Sequence, residues 1–138
     1  MTEAPCIYPT FRYRDPAAMI DWLERAFGFT TRVRYGDGDS VDHAELAFGG
    51  SLIMLGGVRD DAYGGLVGAP GGPGNGTSLY LATDDPDALF ERAKASGAAI
   101  EQGLTDRDYG SREFIARDPE GFVWCFGTYW PKADDPAG

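Results

Sequence analysis

Residues 15–28 read DPAAMIDWLERAFG, and residues 85–97 read DPDALFERAKASG. Asp15-Pro16 and Asp85-Pro86 open the two stretches, and Gly28 and Gly97 close them. Between these points Ala18 matches Ala88, Met19 matches Leu89, Ile20 matches Phe90 and Asp21 matches Glu91. The offset is 70 residues in a chain of 138, so each half holds one copy of the same unit. A solenoid repeats smaller units many times; two copies of this size are a duplicated module. Such a module tends to form its binding site at the seam between copies.

Each stretch predicts a helix. Asp15 and Asp85 are good N-caps, and Pro16 and Pro86 sit at the first helical position, where a missing N–H costs nothing. Met19, Ile20, Leu23, Ala26 and Phe27 recur at helical spacing, as do Leu89, Phe90 and Ala93. Working outward, β-prone runs predict strands at Cys6–Tyr13, Phe29–Arg34, Val41–Phe48 and Ser51–Leu55 in the first copy. In the second they fall at Thr77–Ala82, Ala98–Gln102, Arg112–Arg117 and Phe122–Thr128. Each unit is therefore βαβββ. The division is a first module over 6–56, a glycine-rich linker over 57–76, a second module over 77–130 and a frayed tail over 131–138. Residues 56–76 carry nine glycines and no regular period, which suits a flexible lid.

A chain of this length fits one compact domain, or two half-domains sharing a core, and buries about two thirds of its unfolded surface, so it needs no staples to fold. Cys6 and Cys125 are too few and too distant for a disulfide framework or a zinc pattern. A formal net charge of −10 opposes binding to nucleic acid, whose phosphates it would repel. Met1 to Cys6 lacks a basic start followed by an apolar run, and no stretch approaches the roughly 20 apolar residues that span a bilayer. A cytoplasmic protein with no membrane partner is expected.

Several motifs dissolve under their own chemistry. Gly72-Pro73-Gly74-Asn75-Gly76 precedes a strand rather than a helix and has no lysine, so it is not a phosphate loop. Asp37, Asp39 and Asp42 fail the calcium-loop spacing: Asp42 stands where glycine is needed and Phe48 where glutamate is needed. His43, the one histidine, shares a strand face with Glu45, opposite Ala44, Leu46 and Phe48. The pair can line a wall through hydrogen bonds or serve as an acid–base couple. Cys125 reads as a small apolar filler rather than a nucleophile. Trp124 alternates to face the helices, whereas Trp130, past the last strand, is free to reach a ligand or a subunit interface.

The duplicated βαβββ unit, with Asp118-Pro119-Glu120-Gly121 before the last strand, resembles the glyoxalase/bleomycin-resistance/dioxygenase superfamily, the vicinal oxygen chelate fold. The resemblance covers residues 6–130. His43-Ala44-Glu45-Leu46, Ile53-Met54-Leu55 and Trp124-Cys125-Phe126-Gly127-Thr128 are similar to the glyoxalase-like branch associated with phosphonate gene clusters. It implies an α+β fold: two tandem modules forming a curved, partly open eight-stranded sheet around a cleft. It also implies four metal-holding positions, on the first and last strand of each unit, which fall here on Tyr8, Met54, Ser78 and Cys125. A phenol, a thioether, a hydroxyl and a thiol are a poor set for a divalent ion, so no metal or other cofactor is expected.

What remains is a pocket wall of Tyr8, Thr10, Met54, Ser78, Tyr80, Val123 and Cys125, with His43 and Glu45 for polar specificity and Trp130 at its edge. Two readings follow. One is a metal-free binding protein of the bleomycin-resistance type, taking up a small organic ligand, cationic or aromatic, as antibiotic sequestration. The other is a glyoxalase-like lyase or isomerase working through His43 and Glu45. The resemblance further implies a homodimer whose clefts are built from both chains.

Overall fold

The computed structural model describes residues 4–136; Met1 to Glu3 and the last two residues of the tail lie outside it. Its strands and helices run β1 (Thr10–Tyr13), α1 (Pro16–Phe27), β2 (Thr30–Asp37), β3 (Ser40–Phe48), β4 (Ser51–Gly57), α2 (Ala62–Val67), β5 (Ser78–Ala82), α3 (Pro86–Ala95), β6 (Ala99–Asp106), β7 (Arg112–Arg117) and β8 (Val123–Gly127). The chain is α+β and holds the βαβββ pattern twice. Its eight strands divide into two open four-stranded sheets, ordered β1-β4-β3-β2 and β5-β8-β7-β6. In each, the first strand pairs parallel with the last and the other pairings are antiparallel.

The two matching stretches cap their helices alike. Asp15 accepts from the Ala18 N–H at 3.2 Å, and Asp85 accepts from the Ala88 N–H at 3.1 Å. Gly28 ends α1 with φ +78°, a left-handed turn that glycine adopts without steric cost. Helix α3 then grips the open end of α1. Arg92 donates to the carbonyls of Arg25 and Glu24, both at 2.9 Å, placing a cation where unpaired carbonyls gather.

Both sheets turn one face to a single shared core. Phe11, Tyr13, Ala44, Leu46, Ile53 and Leu55 come from the first sheet, and Phe114, Ala116, Trp124 and Phe126 from the second. Trp124 is the hub. It stacks on Phe11 at 5.5 Å and meets Phe27 and Phe29 at 5.4 and 5.7 Å between ring centres. Its indole N–H is satisfied by the Asp118 carboxylate at 3.0 Å, and the same oxygen accepts from the buried Tyr13 hydroxyl at 2.8 Å. The other Asp118 oxygen accepts from the backbone N–H groups of Glu120 and Phe122. Glu120 reaches the other way, accepting from the N–H groups of Arg14 and Asp15 at 2.6 and 2.8 Å. The 118–121 turn of the second module thus clamps the strand–helix junction of the first.

Three details differ from the sequence expectation. The strand expected from Cys6 begins only at Thr10, because Pro9 has no N–H to give a ladder and only its carbonyl is used, by Met54 N–H at 2.9 Å. Tyr8 therefore lies off the strand, its hydroxyl on the Pro5 carbonyl at 2.6 Å. The glycine-rich linker is not uniformly irregular: it carries α2, whose N-cap Asp61 accepts from Gly64 N–H at 2.7 Å. Among the described residues no helix is long and apolar enough to cross a membrane.

Replacing Asp118 by Ala leaves a buried hydroxyl, an indole N–H and two backbone N–H groups without their acceptor. Urea unfolding should show a loss of about 3 kcal/mol or more, and melting should fall by roughly 6 °C or more. Burial first of all raises the Asp118 pKa above the usual carboxylate value, although its four donors oppose the rise. The stability this group contributes is therefore greatest below the unfolded aspartate pKa and is lost as pH rises through the folded value. The stability difference between wild type and Asp118→Asn should shift against the wild type across that interval; a difference flat with pH would contradict this account.

Candidate functional site

Since the inward faces share one core, the opposite faces point outward. Thr10 and Arg12 on β1, Met54 on β4, and His43 and Glu45 on β3 occupy the outward face of the first sheet. Ser78 and Tyr80 on β5, Val123 and Cys125 on β8, and Glu113 on β7 occupy the outward face of the second. Thr10 lies opposite Met54, which also pairs with Glu45; Tyr80 lies opposite Cys125. The 70-residue offset thus relates Thr10 to Tyr80 at the level of Met54 and Cys125. The residues expected to line one cleft form two half-sites in a single chain, one on each sheet.

The first half-site centres on Glu45. His43 Nε2 is 2.9 Å from one carboxylate oxygen, and Arg32 donates to the other at 2.8 Å. Tyr35 stacks beside the imidazole, 6.2 Å between ring centres. The hydrogen bond with His43, more than the Arg32 charge, holds the Glu45 carboxyl below its ordinary pKa. An ionised carboxylate orienting an imidazole can keep a proton at a defined ring nitrogen, the arrangement an acid–base couple needs.

The second half-site is aromatic. Tyr80 and Tyr109 each pack against Tyr129, at 6.3 and 6.2 Å. Below them Glu113 is only 5% exposed. Burial alone would raise its pKa, but hydrogen bonds from Tyr109, Ser111 and Arg107 outweigh this and hold it below the usual range. Tyr109 donates at 2.9 Å and Arg107 at 3.2 Å. Gly127 forms the floor: a Cβ there would come within 2.6 Å of Glu113 Cγ and 2.8 Å of the Tyr80 oxygen. Burial, and then the Glu113 charge, push the Cys125 thiol up, which keeps it protonated and unreactive.

Between the sheets an apolar cavity of about 360 Å³ opens at the seam, lined by Ile7, Pro9, Phe48, Leu52, Tyr80 and Trp130 among others. Of the residues read from sequence, Tyr80 and Trp130 meet here. Sequence reading missed Glu113. The tight turn at 118–121 could have found it, because pairing Arg117 with Val123 sets Glu113 against Gly127, on the face of Cys125. The donor chemistry does not fit the metal that this fold implies. Tyr8 is off its strand, and a thioether, a hydroxyl and a thiol at Met54, Ser78 and Cys125 are a poor donor set for a divalent ion; among the described residues of one chain no group of three or more His, Cys, Asp or Glu could hold an ion.

Comparison with known proteins bears on this geometry. Residues 7–126 match the family model described as Glyoxalase/Bleomycin resistance protein/Dioxygenase superfamily. Uncharacterised proteins of Mycobacterium bovis (strain ATCC BAA-935 / AF2122/97) and Mycobacterium tuberculosis (strain ATCC 25618 / H37Rv) are each 32% identical over 126 residues. The alignments cover 89% of this chain and 82% and 74% of theirs. Among solved structures, TioX from Micromonospora sp. ML1 superimposes with a TM-score of 0.72 at 29% identity, covering 89% of this chain and 94% of TioX. A glyoxalase/bleomycin resistance protein/dioxygenase family enzyme from Burkholderia phytofirmans PsJN shares the fold, with a TM-score of 0.67 at 21% identity over 87% and 94% of the two chains.

The Glu45 geometry has a direct readout. Carbon-13 NMR should place its carboxyl titration below that of an ordinary glutamate, and His43→Ala should move it back up. An unchanged titration in the variant would mean that the imidazole does not hold the carboxylate.

Proposed function

The chain belongs to the glyoxalase/bleomycin resistance protein/dioxygenase superfamily, and on that premise we propose that it binds a small organic compound, aromatic or cationic, without a metal. The observation that carries this reading is the second half-site. Tyr80, Tyr109 and Tyr129 are 40%, 61% and 53% exposed around a buried carboxylate. Aromatic faces attract a cation, and desolvation strengthens the attraction. Rings exposed on this scale await a covering surface or a ligand. The apolar seam cavity supplies room for a flat ring system beside Trp130.

The site is completed by a second copy of the chain. A homodimer that set the outward face of one protomer's first sheet over the partner's second would bring the Glu45 half-site opposite the tyrosines. Its action is sequestration of an antibiotic-like compound in the cytoplasm, a compartment that suits the free thiols of Cys6 and Cys125. The 2.9 Å contact of His43 with Glu45 favours a second reading, a lyase or isomerase that moves a proton through that pair.

Three measurements separate the readings. Light scattering should give twice the chain mass. Elemental analysis of purified protein should find no stoichiometric zinc, nickel, manganese or iron; tightly bound metal lost in His43→Ala would overturn the metal-free reading. Cationic aromatic compounds should raise the melting temperature, by mass action about 2.7 kcal/mol at a hundredfold excess over Kd. Tyr109→Ala should raise the Kd by roughly fivefold or more, the loss of one cation–π face, and so lower the stabilisation at the same ligand concentration by about 1 kcal/mol.

A further inference from the structure

Arg12 is set apart by a donor that is not met within the fold. Acidic residues outnumber basic ones, 22 to 12. Yet Arg12, like Arg14, Arg25, Arg34, Arg92 and Lys132, takes part in none of the salt bridges among the described residues. Its Nη1 reaches the Gly57 carbonyl at 3.4 Å, a marginal bond. Its Nε is buried with no hydrogen-bond partner. Leaving a buried donor unmet is costly, and more so when the group is charged.

The surroundings are shaped to this side chain. Gly56 lies opposite Arg12 in the β1–β4 register, and a Cβ on Gly56 would collide with the guanidinium and the Asp42 carbonyl. The group therefore lies flat on a bare backbone. From the other side α2 brings Tyr63, whose ring centre is 5.0 Å from the guanidinium carbon. A cavity of about 230 Å³ adjoins them, lined also by Thr10, Asn75 and Thr77. Nη1 faces the Gly57 carbonyl, whereas Nε and Nη2 form the side-on edge of the fork. That edge matches a carboxylate or phosphonate through two parallel N–H···O bonds.

We propose that Arg12, with Thr10 and the α2 residue Tyr63, is a receiving site for the oxyanion of an organic ligand. This rests on the reading of the chain as a small-molecule binder and narrows the ligand to one bearing a carboxylate or phosphonate, whatever charge it carries elsewhere. Tyr63, which lies over the guanidinium, moves aside to admit the anion and then covers it. The hydroxyl of Thr10, and secondly Arg12, draw the Tyr63 phenol below its ordinary pKa, as expected of a site that favours negative charge.

Four probes sharing one ring test this on the full chain: benzoate, phenylphosphonate, benzamide and benzylamine, followed by ligand-observed NMR titration. At least one anion should bind more tightly than benzamide, and Arg12→Gln should weaken it by roughly tenfold or more. Arg12→Lys, which keeps the charge but loses the fork, should fall between. Comparing benzoate with phenylphosphonate tells which oxyanion is preferred. Equal binding of benzamide, unchanged binding in Arg12→Gln, or no binding by either anion overturns the proposal. Should Arg12→Gln fail to fold, the wild type still decides. The tighter anion should protect Arg12 from phenylglyoxal, read by peptide mass, and absence of protection counts against it. Binding of benzylamine alone would leave the cationic-ligand reading standing and this one fallen; anion binding without any cationic binder gives the reverse.

Discussion

The structure depends on one buried carboxylate. Asp118 answers a tyrosine from the first module and a tryptophan from the second with a single oxygen, while its other oxygen closes the turn that leads into the last strand. Tyr13 and Trp124 are both fully buried, so their polar atoms have to be met inside the protein. Bringing both to the same acceptor fixes how the modules meet. Glu120, two residues on, holds the start of α1 from outside, and Arg92 caps its end. The apolar core would drive the halves together in many orientations, because burial has no direction. These polar contacts select one.

That orientation has a price in surface. With both sheets committed inward to one core, each outward face is left uncovered, and the groups that chemistry would use sit there. The first sheet offers Glu45 held between an imidazole and a guanidinium, and Arg12 on its glycine. The second offers tyrosines over Glu113. Within one chain the seam of the duplication holds the apolar cavity by Trp130 and the smaller cavity beside Arg12.

Much of this was legible in the sequence because it rests on local physics. The Asp-Pro caps, the apolar helix faces and the alternation in β3 each have a short-range cause, and each stands in the structure. His43 and Glu45 share the outward face for the same reason. What escaped has a long-range or conditional cause. Pro9 removed a donor and displaced Tyr8 from its strand, moving the equivalence to Thr10 and Tyr80. Helix α2 contains Gly64 and Gly65, which intrinsic preference disfavours, and stands on the Asp61 cap. Arg12 gave no signal, since its unusual feature is a buried Nε without an acceptor, and acceptors are set by the fold.

Gly56 and Gly127 occupy corresponding places in the two modules, each facing the edge strand of its sheet. At both, the missing side chain makes room for a charged neighbour to lie against bare backbone: a guanidinium in one copy, a carboxylate in the other. The two sockets take occupants of opposite sign from different strands, Arg12 from the edge strand β1 and Glu113 from β7. A protein with two such sockets is asymmetric in what it can hold although its frame is nearly symmetric. Each socket is free to change its occupant while the other, and the clamp between the modules, stays as it is.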